Sequence, residues 1–183
     1  DEIKPVKKPR TLRATLRPYQ EQGLSWLRFI HELGSGGVLA DDMGLGKTVQ
    51  LLCFLSAVRS ESPKQASLLV IPASLIANWV SEIERFYPNL KYDVAHPDMQ
   101  PRKVVAEKTK KALDQLDLVI TTYGVLLRDI QLLHSYTFYY AILDESQAIK
   151  NPQTASAKAA RLLTADHRLA MSGTPIENHL GEL

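Results

Sequence analysis

The amino-acid sequence predicts an α/β fold: a mainly parallel β-sheet with helices on both faces. Three observations carry that prediction. Short apolar runs alternate with amphipathic helical patterns along most of the chain, the order that parallel strands joined by crossover helices require. Several runs are apolar at consecutive positions, as strands covered on both faces should be. The chemically distinctive residues gather just beyond the strand ends, at 41–48, 72–74, 121–123, 144–147 and 172–175. Open parallel sheets bind ligands at the carboxyl ends of their strands, so five segments distant in sequence should meet along one edge.

Taken in order, residues 1–14 are rich in Lys and Pro, carry no apolar period, and read as a basic leader ahead of a domain spanning 15–183. Lys4, Lys7, Lys8, Arg10, Arg13 and Arg17 stand in the first 17 residues against only Asp1 and Glu2; a solvated linker and a phosphate-contacting arm both fit. Pro18 opens a helix where its missing N–H costs nothing. Leu24, Leu27, Ile30 and Leu33 recur at helical spacing until the glycines of 34–37 end the pattern. Strands are expected at 37–40, 67–71, 92–95, 117–121, 138–143 and 167–171, and helices at 47–59, 74–86, 103–114, 123–133 and 154–164. Ser74, just after Pro72, suits an N-cap. Trp79 shares helical spacing with Leu75, Ile83 and Phe86 and reads as a core residue.

Composition bounds the class. A chain of 183 residues with 45% apolar and 23% charged residues suits one globular domain with a full core. No apolar stretch approaches the roughly 20 residues of a membrane helix, and no signal sequence opens the chain. A single cysteine, Cys53, excludes an internal disulfide and a Cys-based zinc cluster; it falls among Leu51, Leu52, Phe54 and Leu55, as a small buried residue would. An intracellular setting is expected: cytoplasm or nucleoid in a bacterium or archaeon, nucleus in a eukaryote. The net charge of +2 neither demands nor excludes nucleic acid.

Residues 40–50 read ADDMGLGKTVQ. A strand ends, a turn containing Gly44 and Gly46 follows, and Lys47-Thr48 opens a helix. Glycines permit the backbone angles that let successive N–H groups curl around a phosphate at the positive end of a helix dipole. Lys47 would reach the β- and γ-phosphates, and Thr48 would offer its hydroxyl to Mg²⁺. The general pattern G-x-x-x-x-G-K-[ST] is broken at its first position, where Asp41 stands. Residues 139–147 read YYAILDESQ, an apolar strand running into Asp144 and Glu145. A phosphate-loop ATPase needs an acidic residue at the end of a neighbouring strand to hold the metal. Asp144 fits that need, and Glu145 is then placed to orient or deprotonate the attacking water.

LRPYQEQGLSWL (16–27), ADDMGLGKT (40–48), VIPASLIANW (70–79), ITTYGVL (120–126), LDESQAIKNP (143–152) and LAMSGTPIENHLGEL (169–183) occur in that order. Together they resemble the N-terminal, RecA-like lobe of Swi/Snf-type ATPases of helicase superfamily two. The resemblance covers residues 15–183, and an acidic residue at the position of Asp41 is usual in that family. It implies a RecA-like P-loop NTPase lobe using ATP and Mg²⁺. The nucleotide-binding set becomes Gln20, which would read the adenine edge, with Asp41, Met43, Gly44, Leu45, Gly46, Lys47 and Thr48. Lys47, Asp144 and Glu145 are the catalytic candidates, and Thr48 and Asp144 the metal ligands. Gln147, Ser172, Gly173 and Thr174, followed by Pro175, match segments coupling the nucleotide site to lobe movement. Pro72, Ser74 and Asn78, with Thr121, Thr122, Tyr123 and Lys150, match segments facing nucleic acid, where small hydroxyls and backbone N–H groups suit sequence-blind phosphate contacts. Gln147 and Ala148 depart from the histidine-arginine of eukaryotic remodellers and point to a bacterial or archaeal member and away from nucleosomes.

The resemblance further implies a partner lobe in the same full-length chain beyond Leu183, supplying arginines worth about 10³–10⁵ in rate. Double-stranded DNA is the expected partner. The expected activity is ATP-driven translocation on DNA or remodelling of protein–DNA complexes, with an RNA-polymerase-recycling ATPase and a strand-separating helicase also compatible. The competing reading is a scaffold that grips nucleic acid under an ATP switch without productive hydrolysis; the presence of both Asp144 and Glu145 argues against it.

Overall fold

The structure is a computed structural model that describes residues 3–34, 36–40, 46–61, 64–97, 110–144 and 151–172. Its centre is a six-stranded sheet formed by β1 (Gly37–Ala40), β2 (Ser67–Ile71), β3 (Tyr92–Ala95), β4 (Leu118–Thr122), β5 (Thr137–Asp144) and β6 (Thr164–Ser172). The spatial order is β1-β6-β5-β2-β4-β3, and every pairing is parallel. Helix α1 (Pro18–Glu32) precedes the first strand; parallel neighbours need crossovers, and α2 (Lys47–Val58), α3 (Ile76–Phe86), α4 (Lys110–Leu113), α5 (Tyr123–Leu133) and α6 (Ala155–Leu162) lie along them.

The apolar runs form strands because both faces of each are covered. All five residues of β2 are buried. Leu69 and Ile71 join the core beneath α1, α2 and α3, while Leu68 and Val70 join the core beneath α5 and α6. This period-two division between two cores makes a consecutive apolar run a requirement. Cys53 is fully buried in the first core, and burial pushes its thiol up to about 12 despite nearby Lys8.

Several boundaries differ from the sequence reading. The expected helix 154–164 ends at Leu162, and β6 begins at Thr164, where it pairs with Thr137 of β5. Leu162 looks like a core residue in the helical pattern, but its side chain is exposed. Ser74 caps no helix: it lies in a 3₁₀ turn, Ala73–Leu75, and α3 starts at Ile76. Thr122 and Thr154 are the working N-caps, accepting hydrogen bonds from the amides of Val125 and Ala157. Of the expected helix 103–114, residues 103–109 lie outside the described residues.

Residues 3–14 form no helix or strand, yet they are tied to the lobe. Leu12 is buried in the core with α1, α2 and α3. The Arg13 amide donates to the Phe86 carbonyl at 2.7 Å, the Val6 amide to Ser25 Oγ at 3.0 Å, and Thr11 Oγ1 lies 2.8 Å from Ser56 Oγ. Ile3, Val6, Leu12 and Ala14 fall at no regular spacing, so nothing in the sequence distinguished Leu12 from a solvated leader.

Candidate nucleotide site

Because all pairings are parallel, the carboxyl ends of the strands share one edge. Ala40 stands opposite Ser172, Asp144 opposite Met171, and Ile71 opposite Thr122. The strand ending in Asp144 does not adjoin the strand preceding the phosphate loop, because β6 lies between β1 and β5. At the usual strand spacing this sets those two ends about 10 Å apart, with the end of β6 between them. Ser172, expected to couple the site to lobe movement, therefore occupies the place between the loop and the carboxylate.

Gly46 takes φ 99°, in the left-handed region, directly ahead of Lys47. A Cβ there would collide with Gln20 Nε2 and come within 3.3 Å of the Tyr19 hydroxyl. The last turn of the loop thus packs against Gln20, the residue expected to read adenine. Gln20 is itself buried and fixed: its Oε1 accepts from the Arg17 amide at 2.8 Å at the start of α1.

Lys47 is buried at the first position of α2, 7% exposed. Lysine is almost never buried without a partner. The Thr48 hydroxyl lies within hydrogen-bonding reach of Glu82 on α3; burial raises the Glu82 carboxyl above its ordinary range, and the hydroxyl partly offsets the rise. Asp144 is 5% exposed at the end of β5. Its Oδ2 accepts from the Trp79 indole N–H at 3.1 Å, and its backbone carbonyl accepts from the Tyr123 hydroxyl at 2.7 Å.

The residues expected to face nucleic acid divide into two groups. Ser74 and Asn78 are exposed and Pro72 is half-buried, forming an open surface at the end of β2. Thr121 has no exposed surface and donates its hydroxyl to the Ala95 carbonyl at 3.1 Å. Thr122 is buried as the cap of α5. Each of those two hydroxyls makes a hydrogen bond inside the lobe. Asn151 closes its own loop, its Oδ1 accepting from the Gln153 amide at 3.0 Å. Asp41, Met43, Gly44, Leu45, Glu145, Gln147, Lys150, Gly173 and Thr174 lie outside the described residues.

Sequence reasoning missed four residues around this edge. Gly23 and Gln50 bring α1 against α2, since a Cβ at Gly23 would meet Gln50 Nε2. Trp79 was read as core, which its 2% exposure supports, but its indole N–H also serves Asp144. Glu82 gave no signal beyond an ordinary helix-surface acid.

A profile of the SNF2-related domain matches residues 19–183. The chain belongs to the SNF2-related domain family. Two structures of the Sulfolobus solfataricus SWI2/SNF2 ATPase core superpose well on it. The one in complex with dsDNA has a TM-score of 0.83 at 42% identity, covering 97% of this chain and 36% of that one. The core alone has a TM-score of 0.78 at 44% identity, covering 94% of this chain and 34% of that one. YwqA of Bacillus subtilis, named as an ATP-dependent helicase/translocase, is 40% identical over 174 residues, 94% of this chain and 18% of its own length. The TATA-binding protein-associated factor MOT1 of Saccharomyces cerevisiae is 38% identical over 192 residues, 98% of this chain and 10% of its own length. The SNF2-related lobe thus spans a fifth or less of these curated relatives and about a third of the solved cores. It is a Swi/Snf-type, superfamily-two lobe with a RecA-like fold. No helix among its described residues is long and apolar enough to cross a membrane.

Proposed function

We propose that this lobe binds ATP with Mg²⁺ at the strand-end edge and forms the N-terminal half of a DNA-dependent ATPase that translocates on double-stranded DNA or remodels protein–DNA complexes. The observation that carries the reading is the convergence of Gly46, Lys47 and Thr48, at the start of α2, with the buried carboxylate of Asp144 on one sheet edge. The helix N-terminus and Lys47 receive the phosphates. Gln20, packed on Gly46, reads the adenine edge.

The donors fit magnesium: a hydroxyl on Thr48 and a carboxylate on Asp144 are hard oxygens, and Mg²⁺ takes one or two carboxylates together with phosphate oxygens. The ion would neutralise charge developing on the transferring phosphoryl group. Glu145, next along the chain from Asp144, orients the water and takes its proton. Ser74 and Asn78 meet the DNA backbone with Pro72 and Tyr123, and Lys150 adds a phosphate contact. Gln147, Ser172, Gly173 and Thr174 transmit lobe movement. A second RecA-like lobe completes the site with arginines, and the relatives' proteins are long enough to hold one. The setting is intracellular, with a DNA-bound protein such as RNA polymerase as a possible target of remodelling.

The test is steady-state ATPase of the two-lobed protein with duplex DNA, single-stranded DNA and RNA. The reading expects duplex DNA to stimulate turnover most. Turnover indifferent to all three would favour the ATP-switched scaffold.

A further inference from the structure

Asp144 is held from two directions by residues of the segments that face DNA in the reading above. Trp79 lies on α3, directly after exposed Asn78 and little more than one turn beyond Ser74. Its indole N–H reaches Asp144 Oδ2 across 65 residues of sequence. Tyr123 directly follows β4, and β2 separates β4 from β5. The Tyr123 hydroxyl therefore spans the end of β2, just where Pro72 leaves it, to reach the Asp144 carbonyl.

Packing alone does not require either polar atom. A phenylalanine would fill the Tyr123 site nearly as well, and the core around Trp79 needs the indole's bulk and not its N–H. An indole has few rotatable bonds, and Trp79 is almost wholly buried, so a shift of α3 carries its N–H with it. The two bonds act on different atoms of one residue: one sets the side-chain oxygen, the other the peptide at the strand end. A displacement of either DNA-facing segment changes the carboxylate position.

We propose that Trp79 and Tyr123 are positioning residues that couple DNA contact to the Asp144 carboxylate, making them the link through which DNA stimulates this ATPase. The proposal rests on the DNA-dependent ATPase reading. Coupling of this kind is reciprocal: if DNA improves the nucleotide site, bound nucleotide changes DNA affinity by the same factor.

The test measures duplex DNA affinity of the two-lobed protein with and without magnesium and a non-hydrolysable ATP analogue, in wild type, Trp79→Phe and Tyr123→Phe. Tyr123→Phe removes one donor and keeps its ring; Trp79→Phe removes the donor together with part of a buried indole, and a thermal melt confirms that each is folded. The readout is the ratio of the two affinities, which cancels any direct change in DNA binding. The proposal expects the ratio to move at least threefold toward one in each variant, with the double variant close to one. Folded variants that keep the wild-type ratio overturn it. So do variants that lose thermal stability with the ratio unchanged, since that marks a purely structural role. A wild-type ratio of one, with no stimulation by DNA, instead overturns the DNA-dependent reading beneath it.

Discussion

Gly46→Ala and Gly34→Ala form a matched pair that separates backbone strain from site geometry. Both glycines have positive φ, 99° and 69°. An alanine in the left-handed region costs about 1–2 kcal/mol. At Gly34, past the end of α1, an added Cβ meets nothing within 4 Å, so strain is the whole effect. At Gly46 the same methyl also drives into Gln20 Nε2. Gln20 must then leave the Arg17 amide, and losing that hydrogen bond adds about 1 kcal/mol. Gly34→Ala should therefore cost about 1–2 kcal/mol and leave nucleotide binding unchanged. Gly46→Ala should cost about 2–3 kcal/mol and weaken ATP binding at least tenfold, since it disturbs both the phosphate turn and the proposed base reader. Urea denaturation gives the first quantity and calorimetric titration with Mg·ATP the second. Equal stability losses with nucleotide affinity intact in both variants would refute the reasoning.

Three further outcomes are expected. Leu12→Ala should destabilise the lobe by about 2–3 kcal/mol, the low end for a buried leucine because an irregular segment can partly collapse; a loss below about 0.5 kcal/mol in urea denaturation would detach residues 3–14 from the core. His167 is held below its ordinary range by burial and by His31, whose ring centroid is 4.7 Å away, against opposing pulls from Asp166 and Glu61, and its Nδ1 has no partner among the described residues. The unfolded chain takes up that proton more readily, so stability should be full above about pH 6.5 and fall as pH drops below it; a His167→Phe variant, followed by thermal melts across that range, should flatten the dependence. In the two-lobed protein Lys47→Ala and Glu145→Gln should both abolish turnover, but Glu145→Gln should retain measurable ATP binding in an equilibrium titration.

The α/β alternation was legible because the central strands β2 and β5 are buried on both faces, so composition alone marked them. The strand-end rule was equally legible, and it brought the phosphate loop, Pro72 and Asp144 to one edge without any contact being known. What the sequence withheld depends on partners rather than on pattern. Leu12 belongs to no apolar period, and only the surfaces of α1, α2 and α3 make it core. The bond from the Thr121 hydroxyl to the Ala95 carbonyl depends on the pairing of β3 with β4, which no local pattern shows. Trp79 was legible as core, but its bond to Asp144 depends on a sheet order in which β5 lies beside β2. Leu162 and Leu163 continue a helical pattern, and only the ladder to β5 decides that the chain is already turning into β6.

The central claim is that one strand-end site, carrying Lys47 and Asp144, holds nucleotide through magnesium. Equilibrium binding of ATP to this chain, titrated with magnesium in wild type, Lys47→Ala and Asp144→Asn, tests it most directly. The account predicts magnesium-dependent binding by the wild type, loss of affinity in Lys47→Ala, and loss of the magnesium dependence in Asp144→Asn. Wild-type binding curves from both variants would place the nucleotide elsewhere and contradict it.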